Sequence, residues 1–311
     1  MRSEREMMDL IVGTARDDER IRAAVMNGSR VNPNAKRDCF QDYDIVYVVT
    51  DPASFASDPG WIDRFGERMI LQMPKDDSPA ASDGRSGSIV YLMQFMDGNR
   101  IDLRLVGLQQ AGRIIGRDSL TRLLLDKDGI VPPLPPASDA DYRVKPPTAE
   151  RYAACCNEFW WVSAYVAKGL WREELPYAQA ELEGPVRRML IQMLEWLVGI
   201  ETNFAVSVGK HAKYLQAYLE QSLWDRFART YAGPDYDEIW RSLFEMGELF
   251  RTAAVRVAAH FGYEYPHGDD ARVSAHLRYV RTLPKDAKEL YAGDSGPARA
   301  PAVGRESRRC R

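Results

Sequence analysis

Residues 28 to 49 read GSRVNPNAKRDCFQDYDIVYVV, a glycine-serine turn followed by a polar loop and then by a strongly apolar run. The run from Ile45 to Val49 consists of β-branched and aromatic residues, which predicts a β-strand. Side chains alternate between the two faces of a strand, so Asp42 and Asp44 would lie on the same face. The sequence therefore predicts two carboxylates side by side at the start of a strand.

Two carboxylates at this spacing need a counter-charge, because like charges a few ångströms apart repel. Mg²⁺ suits the position, since it prefers oxygen ligands and commonly takes one or two carboxylates together with substrate phosphates. Gly28 and Ser29 offer a phosphate a closely approaching backbone, N–H groups and a hydroxyl. The alternative is an edge strand with two solvent-facing acids after an ordinary turn. The order of turn, loop, acid pair and apolar strand favours the metal and phosphate site.

This stretch resembles the signature of nucleotidyltransferases of the polymerase-β superfamily, in which a Gly-Ser turn precedes Asp-x-Asp on a strand. The chain up to about Tyr291 is similar to the aminoglycoside 6-adenylyltransferases, which modify streptomycin. Two further segments carry the resemblance, CCNEFWWVSAYVAKGL at residues 155 to 170 and VGKHAKYLQAYL at residues 208 to 219. The resemblance implies an α+β fold, with an N-terminal polymerase-β-like domain that contains a mixed sheet and a C-terminal all-α helical bundle.

A hairpin further along the chain carries a third acid. Two apolar runs flank the turn Asp97-Gly98-Asn99, and Asp-Gly between such runs is a strong hairpin signal. In the second run Asp102 shares a face with Arg100 and Arg104, so one interpretation is an exposed acid paired with either arginine. The resemblance favours a third carboxylate beside the first two, either as a metal ligand or as the base for the attacking hydroxyl, and both roles stay open.

The resemblance assigns roles to residues in both domains. The predicted catalytic and metal-binding residues are Asp42, Asp44 and Asp102. The predicted nucleotide-binding residues are Gly28, Ser29, Arg30 and Lys210, and the predicted drug-binding residues are Glu158, Trp161 and Asp102. By itself Lys210 would be a solvated surface lysine, and Trp161 would belong to a core stripe at helical spacing. An ammonium near the departing pyrophosphate would stabilise the negative charge that develops there.

The implied reaction is the transfer of AMP from ATP to a hydroxyl of streptomycin, with release of pyrophosphate. Mg²⁺ would be the metal, and ATP and the drug would bind in a cleft between the two domains. One alternative is AMP transfer to a protein or to another small alcohol. Another is a nucleotide-binding module that keeps the fold without turnover, against which the presence of all three acids argues.

Composition narrows the class of protein further. The chain has 311 residues, a formal net charge of −3 and a pI near 5.9, which argues against nucleic-acid binding and suits a polycationic small molecule. The charged N-terminus and the lack of a long apolar run argue against a signal peptide and a membrane span, so we expect a cytoplasmic protein. The four cysteines, expected to be reduced, and the four histidines lack zinc-site spacing. The sequence makes no prediction about oligomeric state.

Proline-rich sequence between residues 132 and 147 indicates a linker. The predicted domains are therefore residues 1 to 137 and 148 to 291, with a disordered tail at residues 292 to 311. The first domain is predicted to contain helices at residues 4 to 20, 61 to 69 and 109 to 125, and a mobile loop at residues 75 to 88. The second is predicted to contain helices that start at a Thr148 cap and at Gly184-Pro185, and others at residues 235 to 262 and 269 to 283.

Overall fold

The computed structural model describes residues 1–74 and 88–291 of the chain. The chain divides into two compact units, Met1–Asp141 and Tyr142–Arg311. The predicted mobile loop, apart from its last residue Ser88, and the predicted tail at residues 292 to 311 lie outside the described residues.

A six-stranded mixed sheet forms the centre of the first unit, with strand order β3-β4-β5-β2-β1-β6. The parallel pair is β2 with β5, and the remaining neighbours pair antiparallel. The strands are β1 (Ile21–Asn27), β2 (Tyr43–Val49), β3 (Arg68–Gln72), β4 (Ser88–Phe95), β5 (Arg100–Gly107) and β6 (Thr121–Asp126). Among the described residues three α-helices accompany them, α1 (Glu4–Asp17), α2 (Ala53–Ala56) and α3 (Leu108–Ile114).

Both faces of β2 are buried against helices and neighbouring strands. On one face Tyr43, Ile45 and Tyr47 share a core with Met7 and Ile11 of α1. The hydroxyl of Tyr47 donates a hydrogen bond to the carbonyl oxygen of Ile11 at 2.6 Å. The other face contributes to a smaller core beneath α3. Burial on two sides explains the nearly continuous apolar sequence of this strand.

Two predicted helices of the first unit are wrong. Residues 61 to 69 form the end of a 3₁₀ helix, Pro59–Phe65, and then the start of β3. Residues 109 to 125 form most of α3 and then β6, which pairs with β1. The chain turns between α3 and β6 at Gly116, whose φ of +75° an L side chain rarely adopts. Pairing with β1 then overrides the helical preference of the leucines in β6.

The second unit is helical over its described residues. Its helices are α4 (Ala149–Trp171), α5 (Leu175–Glu181), α6 (Arg187–Glu201), α7 (Leu215–Tyr218), α8 (Gln221–Ala228), α9 (Tyr236–Phe261) and α10 (His267–Thr282). The long helices α4 and α9 meet through the stacked rings of Phe159 and Phe250, whose centroids lie 3.9 Å apart. The hydroxyl of Tyr152 also donates to the carbonyl oxygen of Ala254 at 2.9 Å. These contacts belong to one hydrophobic core that the helices of the unit share.

The predicted ends of these helices are partly confirmed. Thr148 caps α4 by accepting a hydrogen bond from the backbone of Arg151, and Asp235 caps α9 in the same way. Gly262 ends α9 in the left-handed conformation, with φ of +70°. The predicted start at Gly184-Pro185 is wrong, because the chain is already helical from α5 onward. Pro185 has no N–H, and the chain passes it in a π-helical turn, Leu182–Val186, that joins α5 to α6.

Candidate active site

Three carboxylates lie together where β2 and β5 begin. Asp44 and Asp102 are paired residues in the register of these parallel strands. Paired positions of adjacent strands point to the same face, so the two side chains are neighbours. Asp42 lies two residues before Asp44, and its charge adds to the larger effects of burial and of Asp102 in raising the pKa of Asp44. The parallel pairing therefore brings a residue of the hairpin to the acid pair of the first motif.

Gly28 closes one side of this cluster. It follows β1 and has a φ of +75°. A Cβ atom at this position would lie 2.0 Å from Oδ2 of Asp44, far inside van der Waals contact. The turn is held by a hydrogen bond from the backbone N–H of Val31 to the carbonyl oxygen of Gly28, at 3.3 Å. Only glycine allows the backbone to approach the carboxylate this closely.

Asp44 is the most perturbed acid of the cluster. Burial, followed by the charges of Asp102 and Asp42, raises the pKa of Asp44 to about 6. Asp118, which comes shortly before β6, contributes a smaller increase of the same sign. A site in which carboxylates are desolvated and mutually repelling favours the binding of a cation.

Arg100 is the cation that the structure places among these acids. Its Nε and Nη2 atoms donate to the two carboxylate oxygens of Asp102 at 2.7 and 2.8 Å. Its Nε atom also lies 3.6 Å from Oδ2 of Asp42. The hydrogen bonds to Asp102, followed by its negative charge, outweigh burial and raise the pKa of Arg100. From the sequence, Asp102 is interpreted either as an acid paired with an arginine or as a third carboxylate beside the first two. In the structure it has both positions, because it pairs with Arg100 and neighbours Asp44.

Ser29 and Arg30 lie in the turn after β1, but the side chain of Arg30 is directed into the protein. Arg30 is 5% exposed and stacks its guanidinium over the ring of Tyr43, 3.7 Å from the centroid. Its Nε and Nη2 atoms donate to the backbone carbonyl oxygens of Asp42 and Gln41 at 3.1 and 2.8 Å. The guanidinium therefore supports the backbone that carries Asp42. The structure shows this guanidinium engaged inward, and the role of Arg30 in nucleotide binding stays a prediction.

Two features of the site are not visible in the sequence. The sequence pattern places Asp118 in a helix, so nothing indicates that it lies near Asp44. Its carboxylate accepts a hydrogen bond from the backbone of Leu120 at 2.8 Å. Arg100 is a candidate partner of Asp102 in the sequence, but its proximity to Asp42 depends on the pairing of β2 with β5. No local pattern encodes that pairing.

Lys210 lies in a 3₁₀ turn, Lys210–Ala212, directly after Gly209. It lines a cavity of about 460 Å³ in the helical unit. Further cationic residues of the lining are Arg143, Lys145 and Arg151. The cavity also contains Glu195, whose pKa is raised by burial. The lining is therefore predominantly cationic, which suits a polyanion.

Glu158 and Trp161 are both exposed on α4. Trp161 is 60% exposed and donates a hydrogen bond from its ring nitrogen to the hydroxyl of Tyr165, at 2.8 Å. It lines a second cavity of about 510 Å³, whose acidic lining residues are Glu264 and Asp269. Its neighbour Trp160, in contrast, is buried in the core. Trp161 thus exposes most of its ring, whereas Trp160 reaches the lining of the same cavity from the core.

The chain is similar to known proteins over most of its length. The profile of the streptomycin adenylyltransferase family matches residues 1–280. The chain belongs to the streptomycin adenylyltransferase family. An aminoglycoside 6-adenylyltransferase of Campylobacter jejuni is 42% identical over 274 residues, covering 87% of this chain and 93% of the relative. Relatives with the same name from Bacillus subtilis (strain 168) and Staphylococcus aureus are 39% and 33% identical, over 87% and 86% of this chain and 95% of each relative. A crystal structure of an aminoglycoside 6-adenyltransferase from Bacillus subtilis is 34% identical, with a TM-score of 0.46, and covers 91% of this chain and 100% of that one.

Membership in the streptomycin adenylyltransferase family confirms the resemblance and the α+β nucleotidyltransferase fold class. Proteins of this family are nucleotidyltransferase enzymes, which generally use divalent metal ions together with ATP. None of the helices within the described residues has the length and apolar composition that a membrane span requires.

The acid cluster fits the divalent metal of a nucleotidyltransferase. Its donors are carboxylate oxygens, which Mg²⁺ prefers, and their repulsion at Asp44 is relieved by a cation. Within residues 1–74 and 88–291, no three acidic, histidine or cysteine side chains already enclose a metal position. In this cluster both oxygens of Asp102 accept hydrogen bonds from Arg100.

Proposed function

We propose that the protein transfers AMP from ATP to the 6-hydroxyl of the streptidine ring of streptomycin and releases pyrophosphate. The relatives named aminoglycoside 6-adenylyltransferases support the coarser activity. The observation that carries the chemistry is the pairing of Asp44 with Asp102 beneath Gly28. This pairing places two of the acids beside the glycine-serine turn that would approach a phosphate.

In this proposal Asp42 and Asp44 would hold Mg²⁺, which when bound neutralises charge on the reacting phosphates. The hydroxyl oxygen of the drug attacks the α-phosphorus in line, and the bond from that phosphorus to the β-phosphate oxygen breaks. The electron pair of the broken bond leaves with pyrophosphate. Asp102 acts either as a third metal ligand or as the base that accepts the proton of the hydroxyl.

The phosphates of ATP have two proposed contacts on the protein. Gly28 and Ser29 let the backbone approach, as the left-handed conformation of Gly28 already does toward Asp44. Lys210, with the cationic lining of its cavity, offers charge to the triphosphate. The ammonium group would stabilise the charge that develops on the departing pyrophosphate.

The drug has its own proposed contacts. Streptomycin carries guanidinium groups, which pair with carboxylates and stack on aromatic rings. Glu158 and Trp161 are exposed and offer one group of each kind. Asp102 would contact the ring that carries the reacting hydroxyl.

The direct test uses three reactions, each with purified protein and MgATP. One contains streptomycin, one spectinomycin and one kanamycin. We expect pyrophosphate release with streptomycin and little with the other two drugs. Asp44→Asn is the control, because this variant should stay folded and release no pyrophosphate. Efficient turnover of kanamycin without turnover of streptomycin would overturn the assignment. AMP found on a protein or another small alcohol, with none of the three drugs modified, would favour the alternative acceptors.

A further inference from the structure

Arg100 is the first residue of β5 and shares a strand face with Asp102, two residues away. Its guanidinium uses two nitrogens of its fork on the two oxygens of that carboxylate, at 2.7 and 2.8 Å. The same Nε atom lies 3.6 Å from a carboxylate oxygen of Asp42. One side chain therefore spans two of the three acids that would hold the metal.

The pair is well formed but accessible. The side chain of Arg100 is 40% exposed, and those of Asp42 and Asp102 are 36% and 22% exposed. A bidentate arginine-carboxylate pair is among the stronger ion pairs, whereas solvent at this exposure limits its contribution to stability. The Arg100 guanidinium can therefore compete with another cation for these carboxylates, and its exposure to solvent lets it move away from them.

We propose that Arg100 is the resident counter-cation of the acid cluster and must release Asp42 and Asp102 before these residues can bind a divalent metal ion. This inference rests on the proposed function, since it takes the cluster as the metal site. Arg100 would move when ATP supplies phosphate oxygens as its new partner. The protein without nucleotide would therefore bind free metal weakly, and the metal would enter together with ATP. Arg100 is in this account a positioning residue that decides when the site accepts its metal.

Arg104 provides a matched control on the same strand face. It lies four residues beyond Arg100 in β5, and its Nη2 atom is 3.4 Å from the hydroxyl of Ser88. Replacing either arginine by glutamine removes one positive charge and keeps a side chain of similar length. Only the replacement of Arg100 removes a cation that touches the acids.

The test is a titration of metal-free protein with Mn²⁺, followed by the paramagnetic resonance of the free ion and without nucleotide. Arg100→Gln should bind Mn²⁺ about tenfold more tightly than the wild type, because one competing charge is removed from a partly exposed cluster. Arg104→Gln should stay within about twofold of the wild type. Circular dichroism would establish that each variant is folded. Arg100→Lys, which keeps the charge but not the fork, should give an intermediate affinity.

A second titration includes a non-hydrolysable ATP analogue. The advantage of Arg100→Gln should then shrink, because in the wild type the analogue draws the guanidinium away from the acids. Equal or weaker Mn²⁺ binding by folded Arg100→Gln, without nucleotide, would overturn the inference even if streptomycin is adenylylated. Should streptomycin fail as acceptor while Arg100→Gln still binds Mn²⁺ more tightly, the inference stands and the drug assignment falls. Absence of Mn²⁺ binding in every protein and condition would remove the metal assignment and the inference together.

Discussion

At Gly28 the absence of one methyl group decides whether the site can form. The residue combines a left-handed backbone with a very close approach to Asp44. Either feature alone disfavours a side chain, and together they make glycine necessary.

Gly28→Ala should therefore reduce kcat for AMP transfer at least about tenfold, because the new methyl group displaces the carboxylate of Asp44. The positive φ alone should cost about 1 kcal/mol of stability. Gly129→Ala is the control, since Gly129 has a φ of +66° and no atom lies within 4 Å of where its new methyl group would stand. Kinetics and thermal unfolding of both variants distinguish the two effects. Equal loss of activity in both would show that the approach to Asp44 is unimportant.

The raised pKa of Asp44 predicts how the metal-free protein responds to pH. Its pKa is about 6 in the folded protein against an ordinary value of 3.8, so charging Asp44 opposes folding. The stability that the protonated acid provides is complete below about pH 4 and is lost as the pH rises through about 6. The difference between the two pKa values corresponds to about 3 kcal/mol.

Asp44→Asn should accordingly be more stable than the wild type at about pH 8 by up to about 3 kcal/mol, and the advantage should be largely gone at about pH 4. Urea unfolding in the presence of a chelator measures both values. A variant less stable than the wild type at the higher pH would show that the acid is not strained by burial and repulsion. Activity should be lost in either case, since Asp44 is a proposed metal ligand.

At the scale of elements, the parts of the fold that depend on local pattern were predictable. The apolar run of β2, the hairpin between β4 and β5, and the ends of α9 follow from alternation, turn residues and caps. β6 was not predictable, because its leucines also suit a helix and its strand state depends on pairing with β1. The meeting of Asp102 with Asp44 likewise required the non-local pairing of β2 with β5, and only the resemblance indicated it.

The contact between α9 and α10 shows how a buried charge holds two elements together. Asp270 is 3% exposed and accepts hydrogen bonds from Arg251 of α9, from the hydroxyl of Tyr265 and from that of Ser274. Burial would raise the pKa of Asp270, but these hydrogen bonds outweigh it and leave the pKa below its usual value. The resulting stability is present at neutral pH and is lost as the pH falls below about 4.

Asp270→Ala should destabilise the helical unit by about 3 kcal/mol, because it removes the buried acceptor of Arg251 and leaves this arginine paired with the largely exposed Glu248. Asp269→Ala is the control, since its pair with Arg272 is largely exposed and should contribute less than about 1 kcal/mol. Denaturant unfolding compares the two. Similar values for both variants would contradict the role assigned to the buried pair.

At the scale of the whole molecule, the two units contribute different chemistry to the proposed reaction. The first unit holds the acid cluster, and the second holds the cationic cavity around Lys210. Sequence alone offers no reason to prefer Lys210 over any other exposed lysine. Its place in a cavity with three further cationic residues is the structural observation that supports its role.

Lys210→Ala should lower kcat/KM for ATP about thirtyfold, which corresponds to about 2 kcal/mol for one charge-assisted contact. We expect most of the loss in kcat, because the ammonium should meet the charge that develops on departing pyrophosphate. Lys213→Ala is the control, since the Lys213 ammonium lies over the ring of Tyr214, 5.0 Å from the centroid. Loss confined to the kinetics of streptomycin would move Lys210 out of the phosphate site. Wild-type kinetics with both ATP and streptomycin would show that Lys210 is a solvated surface lysine without a role in the reaction.

The reaction product tests most directly whether this acid cluster adenylylates streptomycin. The purified protein would be incubated with MgATP and streptomycin, and the product examined by mass spectrometry and by phosphorus-proton correlation in nuclear magnetic resonance. The account predicts one AMP per drug molecule, attached at the 6-hydroxyl of streptidine, and unmodified drug with Asp44→Asn. Streptomycin recovered without AMP from active, ATP-consuming protein, or carrying AMP at another hydroxyl, would contradict it.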